Sequence, residues 1–387
     1  MRKCLPVVVT IVCALFLAGS FGCSRCDVVA PVSTSVNMIY DDDCDTDIDC
    51  VTTQPLIHHW IDKGFVKMWG MVSSAPSTLG APAMQIFQHY YNHDNLFSIG
   101  AWTPNCGLRN SAAWNIALVK QFDAGDVCTN YPNCRDVLRK SVAHYVADAR
   151  PAKGLVYVIT GPLTCEEDFR ATPADSISPL TGVQMEQQYI GKFILMNGFA
   201  PYGLESNCQE NAPACSAFFA NVTRENGYPP VYVVPLNTGA TSVVTRIPVD
   251  ALPITNPSAY AFTSTGDSAK TVDEDALALE YGVFGGTGWS LSTESTNTVD
   301  AASGANHWTS SPASGQYYLT TTNSPQCFEN LLSFQWVSPE SSAAPAEARC
   351  IHRSYYASKQ GVLSPPAASA SFRTTTIGSI RKPFLLY

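Results

Sequence analysis

The chain reads as an α/β protein built on a mostly parallel, doubly wound sheet of the Rossmann-like kind, and three observations predict this. Short continuous apolar runs recur at 36–40, 66–72, 155–160, 193–196 and 231–235. Runs this uniform suit strands buried on both faces, as parallel strands covered by helices are. Between runs lie stretches with helical spacing: 51–63, carrying Val51, Ile57, Trp60 and Ile61, and 81–91, with Met84, Phe87 and Tyr91 on one side. Alternating strands and helices imply a parallel sheet. Hydrophobic residues make up 45% of the 387, enough to fill a sizeable core. Ligands of such sheets bind beyond the carboxyl ends of the strands, so the loops after these runs are the places to look for chemistry.

The ends of the chain are different in kind. Residues 1–22 have the order of a secretory signal: Arg2 and Lys3, an apolar run over 5–17, then Ala18, Gly19, Ser20 and Gly22. The run is short for a membrane span. Cys23 offers the alternative of a lipid anchor, for which Ser20-Phe21-Gly22 is a poor lead-in. The mature chain is therefore expected outside the cell or at its surface, with the α/β domain over 36–337. Ser, Thr, Gly, Asn and Ala dominate 290–314, and a helical patch follows at 328–336. The Ser/Ala/Pro-rich tail over 338–387 is expected to be loosely ordered. A formal net charge of −9 with 14% charged residues argues against a nucleic-acid partner.

Of 14 cysteines, Cys4 and Cys13 fall in the signal, leaving an even twelve for an oxidising compartment. Cys128/Cys134, Cys208/Cys215 and Cys327/Cys350 are close pairs, but spacing leaves the connectivity open. Asn221-Val222-Thr223 is a lone glycosylation sequon.

The strongest chemical signal is Asp41-Asp42-Asp43-Cys44-Asp45-Thr46-Asp47-Ile48-Asp49-Cys50, with six carboxylates in nine residues directly after an apolar run. They cannot all be buried, and their mutual repulsion calls for a counter-charge. A hard divalent cation such as Ca²⁺ takes several oxygen ligands and fits that need. A solvated acidic loop is the plainer alternative; the place at a strand's carboxyl end, with a helix following, favours the cation. The spacing is not that of an EF-hand.

This run resembles the N-terminal signature of the inosine–uridine-preferring nucleoside hydrolase family, in the longer form Asp-Thr-Asp-Met-Gly-Asn-Asp-Ile-Asp-Asp found in one branch. Asp41, Asp43, Asp47 and Asp49 match it; Asp42, Cys44, Asp45, Thr46 and Cys50 differ. Further blocks follow in the family's order. Gly161-Pro162-Leu163-Thr164 is similar to its Gly-Pro-Leu-Thr-Asn turn, with Cys165 replacing Asn. Ser178-Pro179-Leu180-Thr181-Gly182 and Phe193-Ile194-Leu195-Met196-Asn197-Gly198 also fit, Glu205-Ser206-Asn207 resembles Glu-Phe-Asn, and Asp273-Glu274-Asp275-Ala276 resembles a late aspartate-plus-helix segment. The correspondence runs from about 37 to 337.

The resemblance implies a ribonucleoside N-glycosidase using Ca²⁺. Asp43 would bind the metal and act as general base on the attacking water. Thr164 would give its backbone carbonyl, and Asp275 a carboxylate. Asp49 would hold the ribose hydroxyls, helped by Glu205 and Asn207, with Ser74 where the family usually has a ribose-contacting Asn. Glu274 stands where several members have a His that protonates the leaving base, and Asn211 where Asp is frequent. Cys50 takes the place of an aspartate that chelates the metal, and a thiol is a poor calcium ligand. Asp45 replaces a glycine at a turn expected to need positive φ. Cys44, Cys165 and Cys208, all near the expected site, are open to a disulfide across it, to a softer metal, or to separate structural disulfides. The missing ligand gives an alternative function: a catalytically impaired secreted relative that binds nucleosides or sugars.

His58 and His59 are adjacent on a predicted helix, point apart, and are expected to be core or surface residues. The tryptophans are core candidates, with Trp289 and Trp308 open to a second role as walls of a base pocket.

Overall fold

The computed structural model describes residues 35–322, apart from 46, 123–125, 240–243, 247–251, 266–269, 273 and 287, together with Phe328. The expectations for the signal, Cys23, the 328–336 patch beyond Phe328, the tail, and the Cys327/Cys350 pair lie outside these residues.

The chain opens with β1 (Val36–Asp42), α1 (Cys50–Asp62), β2 (Val66–Ser73), α2 (Gly80–Tyr90) and β3 (Ser98–Ala101). Next come α3 (Ala113–Phe122), α4 (Cys134–Ala147), β4 (Leu155–Ile159), α5 (Thr164–Arg170), α6 (Gly182–Tyr189) and β5 (Ile190–Met196). Then follow β6 (Tyr202–Gly203), α7 (Ser206–Glu210), α8 (Ala212–Asn221), β7 (Val231–Val234), α9 (Leu236–Gly239), β8 (Val244–Arg246), α10 (Pro257–Thr265), β9 (Lys270–Val272) and α11 (Glu274–Phe284). Four strands close the described chain: β10 (Trp289–Leu291), β11 (Ser295–Val299), β12 (Asn306–Ser310) and β13 (Gln316–Thr321).

Eleven strands form one sheet in the order β3-β2-β1-β4-β5-β7-β13-β11-β12-β6, with β10 beside β13. The run from β3 to β13 is parallel; β11, β12, β6 and β10 pair antiparallel. This is the doubly wound α/β arrangement the sequence predicts. The strand order reverses between β1 and β4, and that switch point is where a doubly wound sheet binds its ligand.

The period-2 alternation of the strands sorts their side chains into two cores. Met38, Tyr40, Val156, Val158, Ile194 and Met196 face one way, against α1, α2, α3, α10 and α11. Ile39, Tyr157, Ile159, Phe193 and Leu195 face the other, against α4, α5, α6 and α8. Both faces are covered, which is why these strands read as unbroken apolar runs.

β1 extends two residues past the apolar run. Asp41 and Asp42 remain in register with Val72 and Ser73 of β2, and Asp41 with Ile159 of β4. Flanked on both sides, the strand holds its ladder into the acidic stretch. No helix among the described residues is long and apolar enough to cross a membrane.

Candidate active site

Five of the six aspartates in the loop are buried: Asp41, Asp42, Asp43, Asp45 and Asp49. Asp47 is exposed. Alternation along β1 separates Asp41 from Asp42. Asp41 shares the side of Ile39, where the Tyr157 hydroxyl lies 3.4 Å from its Oδ2. Asp42 shares the side of Tyr40 and accepts from Gln54 Nε2 of α1 at 3.1 Å. Burial pushes the carboxyl of Asp41 well above the usual carboxylate range, and that of Asp42 up to about 7.

Asp43 follows the strand end. Asp42, Asp43 and Asp275 offer carboxylate oxygens that all lie within 4.8 Å of one another. Asp275 comes from the first turn of α11. Burial first, then the charges of Asp42 and Asp43, push its carboxyl well up. Three buried acids in contact repel one another unless protonated or joined by a cation. Neither Asp42 nor Asp275 forms an ion pair with Lys or Arg among the described residues.

The β4 turn closes on this group. Thr160 donates its amide to the Asp41 carbonyl at 2.8 Å. A Cβ on Gly161 would sit 2.8 Å from the Asp43 amide nitrogen and 2.9 Å from its Cβ, so this close approach requires glycine. Thr164 begins α5, with its hydroxyl accepting from Asn211 Nδ2 at 3.1 Å. Asn207 donates to the Thr160 carbonyl at 2.8 Å, tying α7 to the same turn. Asp49 is buried at the N-cap of α1.

Disulfides stand behind these loops. Cys44 pairs with Cys50, Cys106 with Cys128, Cys134 with Cys165, and Cys208 with Cys215. Cys208/Cys215 is thus as spacing suggested, while Cys128/Cys134 is corrected. Cys134 opens α4 and reaches α5, and Cys128 instead holds the loop at Cys106. The bridge across the site and the soft-metal site are corrected too: Cys44, Cys165 and Cys208 each pair away from one another, and no thiolate is left at the loop. Asp45 takes a φ of +150° and accepts from the Ala112 amide at 2.8 Å, which turns it toward α3.

Solved structures share this architecture. A purine-preferring ribonucleoside hydrolase from Gardnerella vaginalis superposes with a TM-score of 0.53 at 15% identity, over 77% of this chain and 97% of that one. An inosine–uridine-preferring nucleoside hydrolase from Bacillus anthracis gives 0.53 at 11%, over 78% and 99%. The fold is that of the nucleoside hydrolases. A type III effector protein, XopQ, complexed with adenosine diphosphate ribose, gives 0.50 at 11%, over 78% and 92%. No family model and no curated protein matches the chain.

Within the nucleoside-hydrolase fold the remaining sequence candidates fall as follows. Ser74 is buried at the end of β2, its hydroxyl 3.4 Å from the Asp42 carbonyl. Glu205 is the N-cap of α7: its carboxylate accepts from the amides of Asn207 at 2.6 Å, Gly198 at 2.9 Å and Cys208 at 3.2 Å. Its geometry is that of a residue holding the loop. Glu274 is buried beside Asp275. The pocket-wall alternative for the two tryptophans is corrected. Trp289 donates to Glu280 Oε2 at 2.8 Å, and Trp308 packs on Phe219 and Tyr318 inside the second core. His58 is a core residue as expected, stacked on Tyr91 and 2.7 Å from His93 through the Nδ1 atoms.

Sequence reasoning passed over Gln54, the partner of Asp42. Its signal was available, one helical turn beyond Cys50 on the same helix. It also passed over Arg109, whose guanidinium meets both oxygens of Glu210 at 3.1 Å and ties the loop after β3 to α7.

Proposed function

We propose that this chain hydrolyses the N-glycosidic bond of ribonucleosides, with a divalent cation, calcium, held by Asp43, Asp275 and the carbonyl of Thr164. One observation carries the reading: Asp43 and Asp275, from opposite ends of the domain, meet as buried carboxylates at the sheet's switch point. The donors are hard oxygens, which suit calcium. The nearby sulfurs of Cys44 and Cys50 are joined to each other and offer nothing to a softer ion.

A bound divalent cation would supply acidity to the attacking water. The chain's own groups do the rest. The carboxylate of Asp43 takes the proton from that water as the C–N bond breaks. Positive charge developing on the ribosyl ring is balanced by the surrounding carboxylates. Asp49 and Asn207 hold the ribose hydroxyls and so fix the ring in line with the water. Ser74 and Glu205 fix the loops that carry these groups and complete the sugar's surroundings. Glu274, beside Asp275, stands where the resemblance puts the group that protonates the departing base. The long acidic loop supports placement in the longer-loop branch. Four disulfides among the described residues support a chain folded in an oxidising compartment, hence secreted or held at the cell surface.

The test is release of reducing sugar from a panel of purine and pyrimidine nucleosides, with calcium and with chelator. Calcium-dependent ribose release is expected; none from any nucleoside, with the chain folded, would overturn the reading. A nucleoside- or sugar-binding protein without turnover is the second reading. It is favoured by Cys50, which closes a disulfide where the resemblance calls for a metal carboxylate. Calorimetric binding of a nucleoside with no ribose release would select it.

A further inference from the structure

The geometry points to Asp42 as the carboxylate that replaces the one missing at position 50, so that the calcium cage is Asp42, Asp43, Asp275 and the Thr164 carbonyl, with the disulfide Cys44–Cys50 behind it. This rests on the metal-dependent reading above and names a ligand which that reading lacks.

Two departures from the family signature are involved, Asp for Thr at position 42 and Cys for Asp at position 50. They are far apart in the loop but adjacent in space. A carboxylate oxygen of Asp42 and the sulfurs of Cys44 and Cys50 lie within 4.8 Å of one another. The strand's period accounts for this: Asp42 projects to the face of Tyr40, the face covered by α1 and α11, where Cys50 opens α1 and Asp275 lies in the first turn of α11. Asp42 therefore reaches the point that a side chain at position 50 would reach from the start of α1. Thr at position 42 could not bring a charge there.

The environment of Asp42 fits a ligand better than a structural acid. The residue is fully buried. Its Oδ2 is fixed by Gln54 Nε2, while its Oδ1 has no hydrogen-bond partner among the described residues. The Tyr40 hydroxyl shares a hydrogen bond with the Thr160 hydroxyl at 2.9 Å and also bears on Asp42. A fully buried carboxylate oxygen left unsatisfied, in contact with two further carboxylates, is costly in a folded chain unless a cation fills the gap. Asp45 and Asp47, two further carboxylates of the loop, do not compete. Asp45 is bonded to the Ala112 amide and Asp47 is exposed.

The test is calorimetric titration of Ca²⁺, with terbium luminescence as a second readout, on the full chain and on Asp42→Asn. Asparagine keeps the shape and the bond from Gln54. The wild type is expected to bind calcium, and Asp42→Asn to bind it about tenfold or more weakly, because calcium affinity follows the charge count of the site. Adding Cys44→Ala and Cys50→Asp to Asp42→Asn should bring binding back to that of the Cys44→Ser/Cys50→Ser chain, which also lacks the disulfide, since the carboxylate returns from the other side of the same point. Equal affinity of Asp42→Asn and wild type would overturn the role of Asp42 and leave the hydrolase reading standing. No calcium binding by the wild type would overturn both. If Asp42→Asn alone fails to fold, the triple variant decides: calcium binding close to that of the Cys44→Ser/Cys50→Ser chain supports the exchange, and none overturns it.

Discussion

Two buried acidic clusters lie on opposite faces of the same sheet, and they differ in where their counter-charge comes from. On one face Glu166 and Glu186 are fully buried, and Arg170 lies 3.2 Å from Glu166 and also pairs with Glu167. On the other, Asp42 and Asp275 are as deeply buried beside Asp43, with no Lys or Arg pairing with Asp42 or Asp275 among the described residues. A cluster that carries its own cation is complete when the chain folds. On the function proposed above, the second cluster takes its cation from outside, and its cost is recovered when that ligand binds the folded state. On that reading the two faces separate a structural use of buried carboxylates from a ligand-binding one.

That contrast is broken most severely at Asp43. Asp43→Asn should lower ribose release by about 10²–10⁴-fold, the range for loss of a general base, with little change in melting temperature. Steady-state kinetics alongside thermal unfolding checks this. A loss of stability matching the loss of activity would place Asp43 in the structural class.

Arg170 should show the reverse pattern. Arg170→Met leaves Glu166 and Glu186 buried without their cation, and breaking a buried pair in this way costs about 3–5 kcal/mol. Denaturant unfolding should register that loss, while calcium affinity measured on the folded fraction should stay within about twofold of wild type if the two faces act independently. A calcium affinity that falls with Arg170→Met would mean that the two faces are coupled.

The disulfide Cys44–Cys50 lies between these extremes. Replacing both cysteines with Ser frees a short loop, an expected loss of about 2 kcal/mol. Because the loop carries Asp43 and Asp49, calcium affinity should fall together with stability. Isothermal titration and thermal unfolding of the double variant measure both; an unchanged affinity would show that the loop is held by Asp45 and Gln54 alone.

Much of this was legible in the sequence. The strands that build the switch point are apolar runs because both faces are covered, and the acidic loop declared itself by charge density. The less legible parts have physical reasons. The strands β10 to β13 come from a Ser/Thr-rich segment, where core positions are taken by Ser295, Asn297 and Gln316 as well as Val299 and Trp308, so hydrophobicity does not mark them. Cysteine pairing depends on which helices start side by side, as α4 and α5 do through Cys134 and Cys165, and this is a tertiary fact. Asp42 reads as one more acid in a run until the strand is known to continue through it; only then does alternation send it to the face opposite Asp41.

Glu280 extends the comparison to a single buried acid with neither a cation nor a ligand role. It lies in α11 on the same core as Asp275, with Oε2 bonded to the Trp289 indole and Oε1 without a partner among the described residues. Burial pushes its carboxyl up to about 8 from an ordinary value of 4.5, against a smaller lowering by the indole. The folded chain thus keeps a proton that the unfolded chain releases. The resulting stability is complete below pH 4.5 and is lost as pH rises toward 8. Tyr281, the neighbouring titratable group, is itself pushed up by burial and stays neutral over this window. Glu280→Gln keeps an acceptor for the indole and removes the titration. The variant should exceed wild type by no more than about 1 kcal/mol at pH 5 and by roughly 4 kcal/mol at pH 8. Unfolding free energies measured across that window check this, and parallel curves for the two chains would show that Glu280 has an ordinary carboxyl and an undetected partner.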